Sequence, residues 1–153
     1  MAKYAAKFSQ TTNTTTFKTA GHVRAPAASM RRIKLYDLLL GAGGTPADNV
    51  LEFNAIRTTA NGTDTAVTPT PLDPADAASL ATFGSNATVE SVSFTAGTDM
   101  LDEFLNQRAS YRWVANPGSE LVIPATANNG IAIRALSPAY TGSFGGSALF
   151  EEQ

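Results

Sequence analysis

Apolar and polar residues alternate with a period of two along much of the chain. This spacing predicts strands, because successive strand side chains point to opposite faces. Between Met30 and Leu40, Ile33 and Leu35 alternate with Arg32 and Lys34, and the cluster GAGGTPADN at 41–49 is a turn signal expected to stop that strand. In residues 50–59, Leu51, Phe53 and Ala55 fall on one face, with Glu52 and Asn54 on the other. Asn61-Gly62 marks a tight turn, since glycine tolerates positive φ. TAVTPTPL at 65–72 carries two prolines, which remove backbone donors and suit a sheet edge or a connection.

One segment breaks the pattern. In DPADAASLA at 73–81, Asp73 can cap a helix, Pro74 suits its first position, and Asp76 favours its positive end, so a short helix of about two turns is expected there. Residues 87–95 are strand-like, and the face switch between Val89 and Val92, with Phe94 beyond, points to a bulge. Residues 98–107 fit two templates. Met100, Leu101, Phe104 and Leu105 match a helical face, whereas Leu105, Ala109, Tyr111 and Trp113 alternate with polar residues as a strand would. The reading adopted is a strand from about residue 103, preceded by at most one helical turn.

Residues 121–124, 131–135 and 147–151 complete the set, separated by Pro117-Gly118, Asn128-Asn129-Gly130 and SPAYTGSFGG at 137–146. Many short strands between turn signals predict an all-β fold, an antiparallel β-sandwich with the jelly roll as leading topology. At 153 residues the chain suits a single sandwich, with no fixed-period repeat to suggest a solenoid or propeller. The first 29 residues read differently. SQTTNTTTFKT at 9–19 is polar and Thr-rich and RAPAAS at 24–29 resembles a linker, so the division is an extended basic N-terminal arm at 1–29 and a sandwich at 30–153.

Charge sharpens that division. Seven basic residues and no acid lie between Met1 and Tyr36, while the remainder sets four arginines against thirteen acids, so a net −2 conceals a basic beginning and an acidic body. Lys3, Lys7, Lys18, Arg24, Arg31 and Arg32 are therefore the candidate partner-binding residues of the arm. A protein surface or a neighbouring subunit is the expected partner. The arm has only Tyr4, Phe8 and Phe17 for stacking and no dense basic run, so no direct nucleic-acid contact is expected.

Candidate chemistry adds little. The chain has no cysteine, which removes disulfides, thiolate nucleophiles and cysteine metal sites. The single histidine, His22, lies in the polar arm without a scaffold to position a base, and is read as a surface or interface residue. Asp99, Asp102 and Glu103 with Asp64 or Asp73 could supply oxygens to calcium, but no loop of the required spacing holds them. GAGG at 41–44 lacks the lysine of a phosphate loop. No enzyme activity, cofactor or metal is expected. No signal-peptide-like or membrane-length apolar run occurs, so a soluble protein made in a cytoplasm is expected.

MRRIKLYDLLLGAGG at 30–44, TAVTPTPLDPADAASL at 65–80 and LNQRASYRWVANPGSELVIPATANNGI at 105–131 together resemble small structural proteins of tailed bacteriophages, of the capsid decoration or cement type. The resemblance covers most of residues 30–153 and rests on turn and strand patterns. It implies a jelly-roll homotrimer on the capsid surface of a virion, bound to the major capsid protein at lattice junctions and stabilising the shell, with arms that add strands to a neighbour. It carries no catalytic residues over. The competing expectation is a carbohydrate- or receptor-binding sandwich of a phage fibre or tail, with an exposed aromatic patch near Tyr111, Trp113 or Tyr140.

Overall fold

Period-two alternation does become strands. The computed structural model describes residues 1–12, 15–28, 31–91, 98–138 and 140–153. Its strands are β1 (Lys3–Gln10), β2 (Lys18–Arg24), β3 (Ile33–Thr45), β4 (Val50–Thr58), β5 (Thr63–Val67), β6 (Thr70–Pro71), β7 (Thr82–Val89), β8 (Asp99–Asn106), β9 (Tyr111–Val114), β10 (Leu121–Ile123), β11 (Gly130–Leu136) and β12 (Thr141–Glu152). They form two six-stranded sheets. The first runs β10-β3-β12-β1-β6, with β9 also on β3, and the second runs β5-β7-β2-β11-β4-β8. Every pairing is antiparallel.

The sheets bury one face each against the other. Phe8 of the first sheet stacks on Phe83 of the second with ring centroids 6.3 Å apart, and Phe144 meets Phe53 edge-on at 6.1 Å. Ile33, Leu35, Ile123, Ile131 and Phe150 are fully buried around them. Each such side chain contributes about 1.5–3 kcal/mol over its exposed state, so the interlayer contact dominates stability.

Residues 3–10 and 18–24 do not form an arm. β1 lies between β12 and β6, and β2 lies between β11 and β7, which makes both of them integral to the sheets. The reason is a period of two hidden among small and polar residues. Tyr4, Ala6, Phe8 and Gln10 face inward, all at or below 2 % exposure, while Lys3 and Lys7 face solvent. Gln10 is tolerated inside because its Nε2 donates to the carbonyls of Thr19 and Ala87 at 2.9 and 3.0 Å, and its Oε1 accepts from Thr12 N–H at 2.9 Å. In β2 a register shift opposite Ile133 and Arg134 adds an extra residue, which blurs the alternation. Gly21 there leaves room for Phe8, whose Cγ would lie 2.8 Å from an added Cβ.

Other expectations also change. Among the described residues there is no helix, and 73–81 forms only a turn in which Asp76 N–H donates to the Asp73 carbonyl and Ala75 N–H to Asp73 Oδ1. Tertiary partners take the groups a helix would need: Tyr4 Oη donates to the Ala77 carbonyl, and Glu152 accepts from Ser79 Oγ and Ala81 N–H. GAGG does not stop β3, which runs on to Thr45 because the facing segment of β12 is also glycine-rich; a methyl at Gly146 would run into the Leu39 carbonyl. For the same reason β12 starts at Thr141, inside the expected SPAYTGSFGG separator. β8 is extended from Asp99, so residues 99–102 form strand and not the expected helical turn, and a bulge beside Ala55 and Ile56 places Met100 and Leu101 together and so mimics helical spacing. It ends at Asn106, and the Tyr111 to Val114 alternation belongs to β9 in the other sheet. Val92 and Phe94 lie outside the described residues.

Candidate interaction surface

Paired residues of neighbouring strands share a face, so the registers read out the solvent side of the first sheet row by row. One row is Lys3, Glu151, Lys34 and Val122; the next is Ala5, Leu149, Asp37 and Val114; the third is Lys7, Ser147, Leu39 and Arg112. Lys3 and Lys7 are exposed, as are Leu39 at 43 % and Val114 at 56 %. Lys3 Nζ stands 5.5 Å from the centre of the Tyr36 ring, Lys34 Nζ lies 3.8 Å from Glu151, and Arg112 grips the buried Asp37 through Nε at 3.0 Å and Nη2 at 2.5 Å. The result is a face with exposed aliphatic residues edged by cations.

The six expected partner-binding residues do not lie together. Lys3 and Lys7 share this face, and Arg31 and Arg32 are exposed between β2 and β3 at one end of the sandwich. Lys18 is half-buried at the start of β2, opposite Ala135. Arg24 is withdrawn from solvent, with its side chain 12 % exposed and both guanidinium nitrogens on Asp64, at 2.5 and 3.0 Å. Sequence reading passed over Lys34, Arg57 and Arg112 as binding residues; only the strand registers or neighbouring elements bring them beside the others.

Arg24 belongs instead to a buried polar cluster on the outer side of β2, centred on His22. The surface reading of His22 is overturned, because its exposure is 0 %. Nε2 lies 2.8 Å from Thr58 Oγ1, and Arg24 Nη1 and Ser91 Oγ reach Nδ1 at 3.0 and 3.1 Å. A guanidinium only donates, so Nδ1 accepts and Nε2–H donates to Thr58. Glycines make the space: a Cβ at Gly130 would come 2.7 Å from His22 Nε2, and one at Gly84 would run into the Asp64 carboxylate. Burial pushes the His22 pKa below its usual 6.5, with Arg24 adding to the effect and Asp64 opposing it. For Asp64, burial pulls upward, but contact with His22 and with Arg24 prevails and holds it at about 2.

This cluster holds a serine, a histidine and an aspartate without forming a triad. A triad needs the nucleophile and the carboxylate on opposite ring nitrogens. Here Ser91 and Asp64, 3.8 Å away, both approach Nδ1, and Nε2 is committed to Thr58. The arrangement clamps β2, β4, β5 and the segment after β7 together.

The candidate calcium ligands are dispersed. Asp99 accepts from Asn54 at 2.8 Å and lies 3.6 Å from Arg134, Glu103 accepts from Tyr111 Oη at 2.9 Å, Asp64 is held by Arg24, and Asp73 shapes its turn. Alternation along β8 turns Glu103 away from Asp102, while Asp99 and Asp102 share the face of Ile56 and Asn54 through the bulge, with Asp102 beside Glu52. Among the described residues no group of three or more histidine or acidic side chains is placed to hold a metal. The aromatic residues expected to make a glycan patch also turn inward. Tyr111 and Trp113 are half-buried against the core opposite Leu40 and Leu38, and Tyr140 is 8 % exposed with its hydroxyl donated to the Ser143 and Gly43 carbonyls. No protein-family model matches the chain, and no curated protein or solved structure is significantly similar to it.

Proposed function

We propose that the chain is a non-enzymatic structural protein of a bacteriophage virion, a decoration protein that binds the major capsid protein from outside and stabilises the shell. The observation that carries the reading is strand order. Setting aside the excursion β5 to β7, one sheet contains β1-β12-β3 flanked by β9 and β10, and the other β2-β11-β4-β8. With β9 and β10 counted as one strand along β3 and the eight named B to I in chain order, the orders match the B-I-D-G and C-H-E-F sheets of a jelly roll, an architecture frequent in viral coat proteins and also found in lectins and cupins. The proposed sandwich is thus a jelly roll with one insertion.

Contact with the shell is made by folded surface. On the face carrying Lys3, Lys7, Leu39 and Val114, the two exposed aliphatic residues supply apolar contact area and the lysines a charged rim that steers an acidic protein surface. A homotrimer presents three such faces, and once one has docked the others bind at high effective concentration. Cryo-electron microscopy of purified phage particles tests the proposal. Density for this chain in threes at junctions of the major capsid protein is the expected result, and particles that lack the chain entirely would refute it.

A further inference from the structure

Carboxylates are provided for most arginines of this protein. Arg24, Arg108, Arg112 and Arg134 each reach one within 4 Å, on Asp64, Asp48, Asp37 and Asp99 respectively. Arg31, Arg32 and Arg57 do not, although all thirteen acidic residues are among those described. Two of these three, Arg32 and Arg57, border one recess, whose remaining lining is Val122, Pro124 and Ala125. Arg57 is half-buried, and it pairs in register with the core residue Ile131, so it starts on the inner face of β4 and crosses to β10. There Nη1 donates to the Val122 carbonyl at 2.6 Å, which fixes the guanidinium while using one of its five donors.

We infer that this recess is a carboxylate-binding site that takes an acidic side chain of a protein partner. A fixed guanidinium fork with a second, exposed one beside it matches the two oxygens of a carboxylate. The apolar floor of Val122, Pro124 and Ala125 receives the aliphatic stem and its neighbour. A polyphosphate strand would need a continuous cationic track, which the described cations next to the recess do not supply. Arg31 lines a different hollow with Tyr4, Leu80 and Glu152, and Lys34 pairs with Glu151. Under the decoration reading, on which this assignment of the partner rests, the capsid protein presents an exposed Asp or Glu at the docking position.

The test is an NMR titration of the full chain with a capped peptide, acetyl-Leu-Glu-Asp-Leu-amide, and separately with inorganic phosphate. The peptide should shift the backbone signals of residues 122–125 and the Arg57 Nε–H, and Arg32→Gln should weaken its binding by about tenfold without altering the fold, since Arg32 is exposed. Arg57→Lys should also weaken binding although it keeps the charge, because an ammonium lacks the fork. Equal binding of the Gln-Asn version of the peptide, or a phosphate affinity above that of the peptide, would overturn the assignment. If the peptide binds as described but the chain is missing from particles, the decoration reading falls and the carboxylate site stands.

Discussion

Phe8 gives the most direct measure of how far the first strand belongs to the core. Its side chain is 2 % exposed, stacks across the interlayer on Phe83, and occupies the space that Gly21 leaves open. Phe8→Ala removes that ring from between two sheets that cannot close over the gap, because β1 is fixed by its ladder to β12 along its whole length. Core Phe→Ala changes cost about 3–5 kcal/mol, out of about 5–15 for a domain. With a urea dependence of about 2 kcal/mol per molar, the midpoint should fall by about 2 M. Fluorescence of Trp113, the only tryptophan, and far-ultraviolet circular dichroism should report one coincident transition. Lys7→Ala, one residue away and facing solvent, should stay within about 0.5 kcal/mol of the parent. If Phe8→Ala costs no more than Lys7→Ala, β1 is dispensable and the core described above is wrong.

Three further outcomes are expected. Gly21→Ala should destabilise by about 1–3 kcal/mol through overpacking against Phe8, and Phe8→Leu in the same chain should recover part of the loss, a non-additivity that a double-mutant cycle in urea detects. Stability should fall as pH drops below 6.5, because the unfolded chain protonates its histidine while buried His22 resists, and again between 3.8 and about 2, where the unfolded Asp64 takes its proton first. The slope in the first window approaches about 1.4 kcal/mol per pH unit, and His22→Gln should flatten it in urea titrations at pH 5 to 7. Lys3→Glu with Lys7→Glu should weaken co-sedimentation with phage shells and leave the thermal midpoint nearly unchanged, whereas an effect on the midpoint alone would argue against the cationic face as the contact.

The strands that sequence reading recovered are those in which large residues mark one face. Leu51, Phe53 and Ala55 emerge in β4, and the two-proline stretch at 65–72 falls on sheet edges as expected, with Pro69 between the edge strands β5 and β6 and Pro71 in β6. β1 was missed because two of its four inward residues are Ala6 and Gln10, which carry no hydrophobic signal of their own. Glycine misled in the other direction: Gly41 to Gly44 reads as a turn, yet it allows β3 and β12 to approach closely. Site legibility was limited by topology. Basic residues near in sequence were grouped as one arm, but Arg24 is drawn inward by Asp64, forty residues away, and Arg57 joins Arg32 only because β4 and β10 flank one recess.

The ladder between the first and last strands governs how the molecule is made. Lys3 opposes Glu151 and Gln10 opposes Phe144, so the central pairing of one sheet joins residues separated by most of the chain. During synthesis β1 precedes β12 by most of the chain, and until β12 has left the ribosome it has only the two-residue β6 to pair with. Tyr4 lacks its ring neighbour Phe150 throughout that interval, and folding dominated by such distant contacts is slow. Cooler, slower expression, or a chaperone that shields the nascent first strand, should therefore raise soluble yield more than any stabilising change made elsewhere in the sheet.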